Sequence, residues 1–338
     1  MKKNIKKIIP TNLWLMLRAL KDRYLLALGL HYQGKRFFRS YSKENSTSLS
    51  CLQTRTVFYA HQIEKGLSHK DFRYGFGRTA LTNLSFAMKR LENIVPDARQ
   101  NDDSYRVALA TIHEYIQRHR QAKYDLTNIK CIFTPEIWRE AEQFEGTQGG
   151  SFTIDAAVKK DNKFKTFKQL AESRHAVREY SEEPVTINQI HEAVNLARTA
   201  PSVCNRQPAR VHVTFDSRII AEALNIQGGF RGYATPPALI LITADNQAFL
   251  YPSERNEGFV DGGLFAMQLL MSLESVGLAA CPLNTMMDGK SEQATRTLMH
   301  VPDTEFLVMY IAVGHFPNTI NLCRSTRLPV NAIMSTVE

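Results

Sequence analysis

The hydrophobic pattern changes along the chain, from helical spacing in its first half to strand-like runs in its second half. Two stripes in the first half place apolar residues three or four positions apart: Leu81, Leu84, Met88, Leu91 and Ile94, then Tyr105, Leu109, Ile112 and Ile116. Stripes of this kind are typical of helices that pack on a core. The pattern therefore predicts a mainly helical region in the first half, with Asp102 or Asp103 capping the second helix.

The second half contains continuous apolar runs at residues 238–244 and 306–315 and an alternating segment with β-branched residues at 211–215. Runs of this length and composition predict buried strands. The stretch from Gly258 to Val276 is longer and apolar on nearly every side. It predicts a helix that is buried centrally or lies in an oligomer interface.

Candidate chemistry is concentrated in two neighbouring segments. Arg174, His175 and Arg178 place three cationic or polar donors within five residues, a pattern suited to binding an anion. A turn-forming segment, residues 200–208, then offers a hydroxyl at Ser202 and carboxamides at Asn205 and Gln207. Residues 187–197 between them have helical spacing, and Thr186 precedes them as a candidate N-cap.

This arrangement resembles the FMN-dependent nitroreductase family. Members open their domain with an R-[RH]-S-x-R-like segment, followed by a helix and an A-P-S-x-x-N-x-Q-P-W segment. Ala176 and Ala209 depart from this pattern, since they stand where Ser and Trp are usual. The resemblance covers roughly residues 166 to 330. It implies an α+β fold with a central mixed β-sheet flanked by helices, preceded by the mainly helical N-terminal extension of a bacterial branch. The expected domains are residues 1–165 and residues 166–338.

The resemblance implies FMN as the cofactor and NAD(P)H as the electron donor. Pro282, Leu283 and Asn284 match a segment whose backbone amides face the flavin in the family, and Arg324 and Arg327 follow where a basic pair meets the phosphate. The implied cofactor-binding residues are Arg174, His175, Ala176, Arg178, Pro201, Ser202, Asn205, Gln207, Pro282, Leu283, Asn284, Arg324 and Arg327. No catalytic residue and no metal site is identified.

The function implied by the resemblance is an FMN-dependent oxidoreductase that passes electrons from NAD(P)H to a small electron-poor acceptor. The flavin performs the redox step, so little acid–base apparatus is required of the protein. The alternative is a flavin-fold protein of a biosynthetic or membrane-associated complex, acting on a dedicated intermediate or as a binding module. The family also implies a homodimer with the Gly258–Val276 helix at its core.

Charge is unevenly distributed along the chain. Residues 1–165 carry 29 Lys and Arg against 16 Asp and Glu, or +13, whereas residues 166–338 carry 13 against 17, or −4. Residues 1–40 combine this basic charge with an apolar helical face at Leu13, Leu17, Leu20, Tyr24 and Leu28. The face either lies on an anionic membrane surface or packs on the protein itself, and we favour packing because amphipathic helices of soluble proteins are common. No nucleic-acid-binding motif accompanies the charge, so no nucleic acid is expected as a partner.

Two further features allow a functional and a structural interpretation. His61, Glu64 and Lys65 share one helical face, and they either close over the flavin site or form a buried polar junction. We favour the junction. Cys281 is either a nucleophile or a buried small residue, and without an activating partner in the sequence the second interpretation is better.

The five cysteines are scattered and include no zinc-like spacing. An odd, scattered set suits a reducing compartment, so we expect a cytoplasmic protein, with peripheral contact at the inner membrane face as the alternative. Arg18, Lys21 and Arg23 interrupt the first apolar run, so neither a signal peptide nor a transmembrane span is expected.

Overall fold

The computed structural model describes residues 10–337. The chain forms two compact units, and each unit is assembled from segments that are separate in sequence. Unit 1 contains the segments up to Ser40, Asp161–Arg174 and Tyr180–His315, and unit 2 contains Tyr41–Lys160, His175–Glu179 and the chain from Phe316 onward. The division into residues 1–165 and 166–338 stays a prediction.

The helices of the described residues are α1 (Thr11–Ser40), α2 (Leu49–Leu67), α3 (Arg78–Glu92), α4 (Ala98–Asn101), α5 (Asp103–Gln121), α6 (Thr127–Lys130), α7 (Pro135–Glu142), α8 (Phe167–Ser173), α9 (Ile187–Ala197), α10 (Ser217–Gln227), α11 (Glu257–Ser275), α12 (Gly289–Met299) and α13 (Val330–Ile333). The strands are β1 (Ser151–Asp155), β2 (Ala209–Thr214), β3 (Ala238–Asp245), β4 (Leu278–Asn284), β5 (Glu305–His315) and β6 (Thr319–Cys323).

Unit 1 is organised around a four-stranded sheet in the order β2-β3-β5-β4. The expected α+β fold is confirmed. Its three strand pairings are all antiparallel, with Val211 opposite Ile242, Leu241 opposite Tyr310 and Cys281 opposite Ala312. A mixed sheet was expected instead. The difference arises because an apolar run indicates that a strand is buried but carries no information about the direction of its neighbour.

Helix α11 packs on this sheet and forms the core of unit 1. Ile240 and Ile242 of β3 lie in one buried cluster with Ala266, Leu269 and other residues of α11. A Cβ atom at Gly262 would lie 2.7 Å from Cγ2 of Val308, so the absence of a side chain there allows the helix to approach β5 closely. The predicted helix at Gly258–Val276 is thus confirmed within one residue at each end.

Unit 2 has a separate, mainly helical core. The apolar stripes predicted for α3 and α5 are buried and belong to this core, except for Ile94, which is 42% exposed because α3 ends at Glu92. Asp102 caps α5, and its side chain accepts a hydrogen bond from the amide of Tyr105. Tyr105 also donates to the Glu92 carboxylate, which ties α5 to the end of α3.

A two-stranded antiparallel ladder joins the early and late parts of unit 2. Strand β1 pairs with β6, with Ser151 opposite Cys323 and Asp155 opposite Thr319. The helical core leads along the chain into β1. Strand β1 is hydrogen-bonded to β6, which comes after the main segment of unit 1 in the sequence.

Helix α1 is the one long helix of the described residues that buries none of its side chains. Its five predicted core-facing residues, Leu13, Leu17, Leu20, Tyr24 and Leu28, are each at least 43% exposed. It contacts the rest of unit 1 around Arg255, which donates to the carbonyl oxygen of Gly29 at 3.3 Å and to the side chain of Gln33 at 3.2 Å. The described residues thus do not bury the five residues of this face, although Leu17 shares a groove with Tyr251 and Pro252, and the packing of the face stays a prediction. Across residues 10–337, no helix combines the length and apolar character needed to cross a bilayer.

A buried histidine fixes the loop that precedes α3. His119 Nδ1 lies 2.6 Å from the carbonyl oxygen of Tyr115, and its Nε2 accepts a hydrogen bond from the amide of Gly75 at 2.9 Å. The imidazole is therefore neutral, with its proton on Nδ1. Burial lowers the pKa of His119 below its usual 6.5, and nearby Arg118 acts in the same direction, although the hydrogen bond to Tyr115 opposes them. The titratable side chains that face the ring are Tyr115, which stacks on it with ring centres 3.9 Å apart, Tyr74 and Tyr124.

Unit 2 is expected to lose stability as the pH falls below about 6.5, because protonation of Nε2 removes the acceptor for the Gly75 amide. The sign follows from the lowered pKa, since the unfolded chain binds a proton at a higher pH than the folded chain does. Chemical denaturation between pH 7.5 and 5 should show this loss, and His119→Gln should be less stable at pH 7.5 but less sensitive to pH. His31→Gln, on exposed α1, is the control. An unchanged pH dependence in His119→Gln would contradict the assignment.

Candidate functional site

The turn after α9 has a strained backbone. Cys204, Asn205 and Gln207 all have positive φ angles, of 48°, 56° and 50°, although none of them is glycine. Left-handed backbone at such residues costs free energy and persists only where the surroundings hold it. The sequence pattern predicted a turn that offers carboxamides here, and the structure places Asn205 and Gln207 at exposed positions of this turn.

A buried carboxylate on α11 holds the start of this turn. Both oxygens of Asp261 lie 3.2 Å from the amide nitrogen of Val203, and Asp261 is 3% exposed. The Ser202 hydroxyl closes the turn by accepting a hydrogen bond from the amide of Gln207 at 2.9 Å. The central helix of unit 1 therefore fixes the backbone of the turn directly.

A salt bridge holds the outer side of the same turn. Arg206 contacts the Glu254 carboxylate at 2.5 Å and donates to the carbonyl oxygen of Ala248 at 2.9 Å. The hydrogen bond from Arg206, aided by the backbone amide of Leu250, lowers the pKa of Glu254 to about 2. Glu254 is therefore ionised throughout the physiological range, and the salt bridge persists with it.

Beside the turn lies a groove with a volume of about 230 Å³. Its lining includes Pro201, Ser202 and Gln207 of the predicted set, together with Arg198, Arg210, Asp261 and Phe265. Asn205 is on the same turn but is not part of the lining. The groove thus combines hydroxyl and amide groups with an aromatic ring and two arginines.

Three further predicted cofactor-binding residues of unit 1, Pro282, Leu283 and Asn284, lie at the end of β4. Pro282 is half-buried, Leu283 is 9% exposed and Asn284 is exposed at the last position of the strand. The Asn284 carbonyl accepts a hydrogen bond from the Gln227 side chain at 3.2 Å. Cys281 is fully buried within β4, which agrees with its interpretation as a small core residue.

The remaining predicted residues, apart from Arg174, belong to unit 2. The guanidinium of Arg324 lies 5.0 Å from the ring centre of Phe152, and the His175 ring lies 5.3 Å from the same ring. Nη1 of Arg178 lies 3.5 Å from Sγ of Cys323, one residue before Arg324. The structure therefore gathers His175, Arg178 and Arg324 near the end of β6, although they are far apart in sequence.

The other members of the set are placed as follows. Arg327 is exposed and donates to the carbonyl oxygen of Ser325. Ala176 is half-buried between His175 and Val177. Arg174 belongs to unit 1, where its amide donates to the carbonyl oxygen of Leu170 at 3.0 Å and ends α8.

A second cluster in unit 2 has the composition of a metal site but not its chemistry. Ligand atoms of His61, Glu64 and Cys323 lie within 4.8 Å of one another. However, the Glu64 carboxylate already accepts hydrogen bonds from the backbone amides of Gly150 and Ser325. Burial raises the pKa of Cys323, which favours the thiol over the thiolate that metals require. These contacts support the polar-junction interpretation of the segment.

Sequence reasoning missed Asp261, Arg206 and Glu254, which hold the turn at residues 203–207. Asp261 could have been noticed, because a carboxylate in the largely apolar Gly258–Val276 helix needs a polar partner if it is buried. The salt bridge between Arg206 and Glu254 gave no signal, because nothing in the sequence relates these two positions.

Each unit, taken by itself, carries donors whose chemistry suits part of a flavin mononucleotide. Arg178, Arg324 and His175 are suited to a phosphate, because guanidinium groups bind phosphate oxygens through paired hydrogen bonds. The carboxamides of Asn205 and Gln207 can donate to and accept from a heterocyclic edge.

Comparisons with known proteins agree with this set of motifs. The model of the nitroreductase family matches residues 171–229 and 227–315. An FMN reductase [NAD(P)H] of Bacillus subtilis is 24% identical over 181 residues, which cover 49% of this chain and 71% of that protein. The crystal structure of a nitroreductase family protein from Clostridium difficile 630 is 21% identical with a TM-score of 0.42, covering 51% of this chain and 98% of that one. An FMN-dependent nitroreductase from Clostridium difficile R20291 is 18% identical with a TM-score of 0.38, covering 44% and 86%.

These structural similarities are too low to support an argument of their own, so the assignment depends on the family match together with the motifs at Arg174–Arg178 and Pro201–Pro208. On that basis, residues 171–315 of the chain are similar to the nitroreductase family.

Proposed function

We propose that the protein is an FMN-dependent oxidoreductase that takes electrons from NAD(P)H and passes them to a small electron-poor acceptor. The observation that carries this proposal is the cluster of His175, Arg178 and Arg324, which gathers two family motifs around Phe152 and Cys323. The related FMN reductase of Bacillus subtilis supports the choice of cofactor and electron donor.

The chain's own residues bind and orient in this proposal. Arg174, His175, Arg178, Arg324 and Arg327 hold the phosphate by charge. Residues Ala176, Pro201, Ser202, Asn205, Gln207, Pro282, Leu283 and Asn284 contact the remainder of the cofactor. Bound FMN supplies the hydride and electron transfer chemistry. Ala176 brings no hydroxyl to this site, so the backbone and the neighbouring cations contribute the polar contacts there.

The acceptor is proposed to be small because the groove beside the 203–207 turn is small, at about 230 Å³. Arg198 and Arg210 in its lining favour an acceptor with nitro or carbonyl groups, whose oxygens carry partial negative charge.

We further propose a homodimer that buries the outer face of α11. Val260, Leu264 and Met267 lie at helical spacing on this helix and are 54%, 46% and 49% exposed. A contiguous apolar face at the core helix of a unit is a typical subunit interface.

A second candidate function is favoured by α1, whose 30 residues include no buried side chain. Phe37 and Phe38 are 69% and 65% exposed and are flanked by Lys35, Arg36 and Arg39. This combination suits a helix that binds an anionic surface. The protein would then be cytoplasmic with peripheral contact at the inner membrane face, acting within a membrane-associated or biosynthetic complex.

The oxidoreductase proposal predicts that the purified protein binds FMN and that NADH or NADPH bleaches the flavin absorbance without oxygen. Arg174→Ala should weaken FMN binding by roughly tenfold or more, since a hydrogen bond to a charged group contributes about 1.5–3 kcal/mol. Arg218→Ala is the control, because Arg218 is an exposed arginine that pairs with Asp216. A chain that binds no flavin, or whose flavin is not reduced by either nucleotide, would refute the proposal.

The dimer proposal predicts twice the monomer mass in light scattering at micromolar concentration. Leu264→Glu should shift the protein toward the monomer, because it places a charge in the apolar interface. Ile187→Glu, at an exposed apolar position that begins α9, should leave the mass unchanged. A monomeric wild-type protein would show that the face of α11 is not a subunit interface.

The membrane proposal predicts that the full chain binds vesicles of anionic phospholipid at low salt and is released at 1 M salt, where the Debye length falls to roughly 3 Å. A triple variant with Lys35, Arg36 and Arg39 changed to Gln should bind weakly, while its flavin reduction stays unchanged. Wild-type protein that ignores anionic vesicles at low salt would exclude this role.

A further inference from the structure

The Glu64 carboxylate connects two segments of unit 2 that are distant in sequence. Glu64 lies on α2 and is 1% exposed. Its Oε1 accepts a hydrogen bond from the amide of Gly150 at 3.1 Å, and its Oε2 accepts one from the amide of Ser325 at 3.3 Å. One side chain of the N-terminal helices thus holds the backbone next to β1 and the backbone that follows β6.

The neighbouring contacts strengthen this connection. His61 Nδ1 lies 3.0 Å from Oε2 of Glu64 and 3.5 Å from the hydroxyl oxygen of Ser325. The amide of Arg324 donates to the carbonyl oxygen of Gly150 at 2.9 Å. The segment from Arg324 to Arg327 is therefore attached to α2 and to residue 150 through its backbone.

The held segment has a conformation that needs support. Ser325 has a φ angle of 46°, in the left-handed region that a serine rarely adopts. Such a residue keeps its conformation only where several contacts with its surroundings hold it there. The hydrogen bond to Glu64 is one of the contacts that do so, and the arginines on either side, Arg324 and Arg327, are directed by the same backbone.

We infer that Glu64 is a positioning residue for the flavin phosphate, acting through the Arg324–Arg327 segment. This inference depends on the proposed function, because it takes Arg324 and Arg327 as phosphate ligands. It gives a role to the segment around Tyr59–Ser68, for which the family resemblance implied none.

The chemistry of the contacts explains why a glutamate is suited to this position. Three donors surround the side chain, namely two backbone amides and the His61 ring. A carboxylate offers acceptors on both oxygens, whereas a glutamine would turn an N–H group toward one of these donors. Glu64→Gln therefore keeps the size of the side chain and removes part of its ability to hold the two segments.

Positioning and simple electrostatics predict opposite results for Glu64→Gln. If the negative charge of Glu64 only repelled the phosphate, its removal would strengthen FMN binding. If Glu64 positions the arginines, its removal weakens FMN binding. Riboflavin, which has no phosphate, separates this effect from a general loss of structure.

The experiment titrates full-length protein with FMN and with riboflavin and follows the quenching of flavin fluorescence. Wild type should bind FMN more tightly than riboflavin. Glu64→Gln should lose roughly tenfold in FMN affinity, while its riboflavin affinity stays within about twofold. Glu92→Gln is the matched control, because Glu92 is a half-buried carboxylate that accepts from Tyr105 in the helical core. It should bind both flavins as wild type does.

Glu64→Asp is the second variant, because it keeps the negative charge but is one methylene shorter, which withdraws the carboxylate from the two amides. It should show the same selective loss of FMN affinity, and it decides the outcome if Glu64→Gln does not fold. Unchanged or tighter FMN binding in the variants overturns the inference, as does an equal loss of both flavins. Wild-type protein that binds neither flavin refutes the proposed function itself, which is a different result.

Discussion

The arrangement of unit 2 depends on how one buried carboxylate satisfies backbone amides from two distant parts of the chain. Without Glu64, the Ser325 amide would lose its acceptor and the Gly150 amide would keep only its contact with the Thr111 hydroxyl. An unsatisfied buried donor costs about 1–3 kcal/mol, which is a noticeable part of the stability of a typical domain. The pairing of β1 with β6 begins next to Gly150 and Ser325, so the Glu64 carboxylate supports the end of this ladder.

In unit 1, a buried carboxylate likewise holds the backbone of the turn at residues 203–207. Asp261, buried on α11, accepts the amide of Val203 and holds a turn in which Cys204, Asn205 and Gln207 are left-handed. In both units a core helix provides a buried acid, and that acid fixes a strained backbone segment carrying polar or cationic side chains. A site built this way is rigid before any ligand binds, which lowers the entropy cost of binding.

The sequence pattern predicted the elements of this structure better than their contacts. The stripes of α3 and α5 and the buried runs of β3 and β5 were readable because burial repeats with the period of each element. The antiparallel order of the sheet was not readable, since strand direction depends on connections in space. The exposure of α1 was also not readable, because an apolar face shows that burial is favourable without showing what provides it.

For the candidate site too, the sequence predicted the residues better than the contacts that hold them. Its cationic and amide residues could be picked out from their density and from the family resemblance, and residues 171–315 do match that family. The contacts of Glu64 and Asp261 could not be predicted, because helical spacing relates a residue only to neighbours three or four positions away. Each acid reaches backbone groups tens to hundreds of residues distant, and only the folded chain brings them together.

Amide hydrogen exchange of the full-length protein tests the central role of Glu64 most directly. The account predicts that the amides of Gly150 and Ser325 exchange slowly in wild type and that both exchange faster in Glu64→Ala, which removes both acceptor oxygens. The amide of Val203, held by Asp261 in unit 1, should keep its rate in the same variant. Fast exchange at Gly150 and Ser325 in wild type, or a change at only one of them in the variant, would contradict the account.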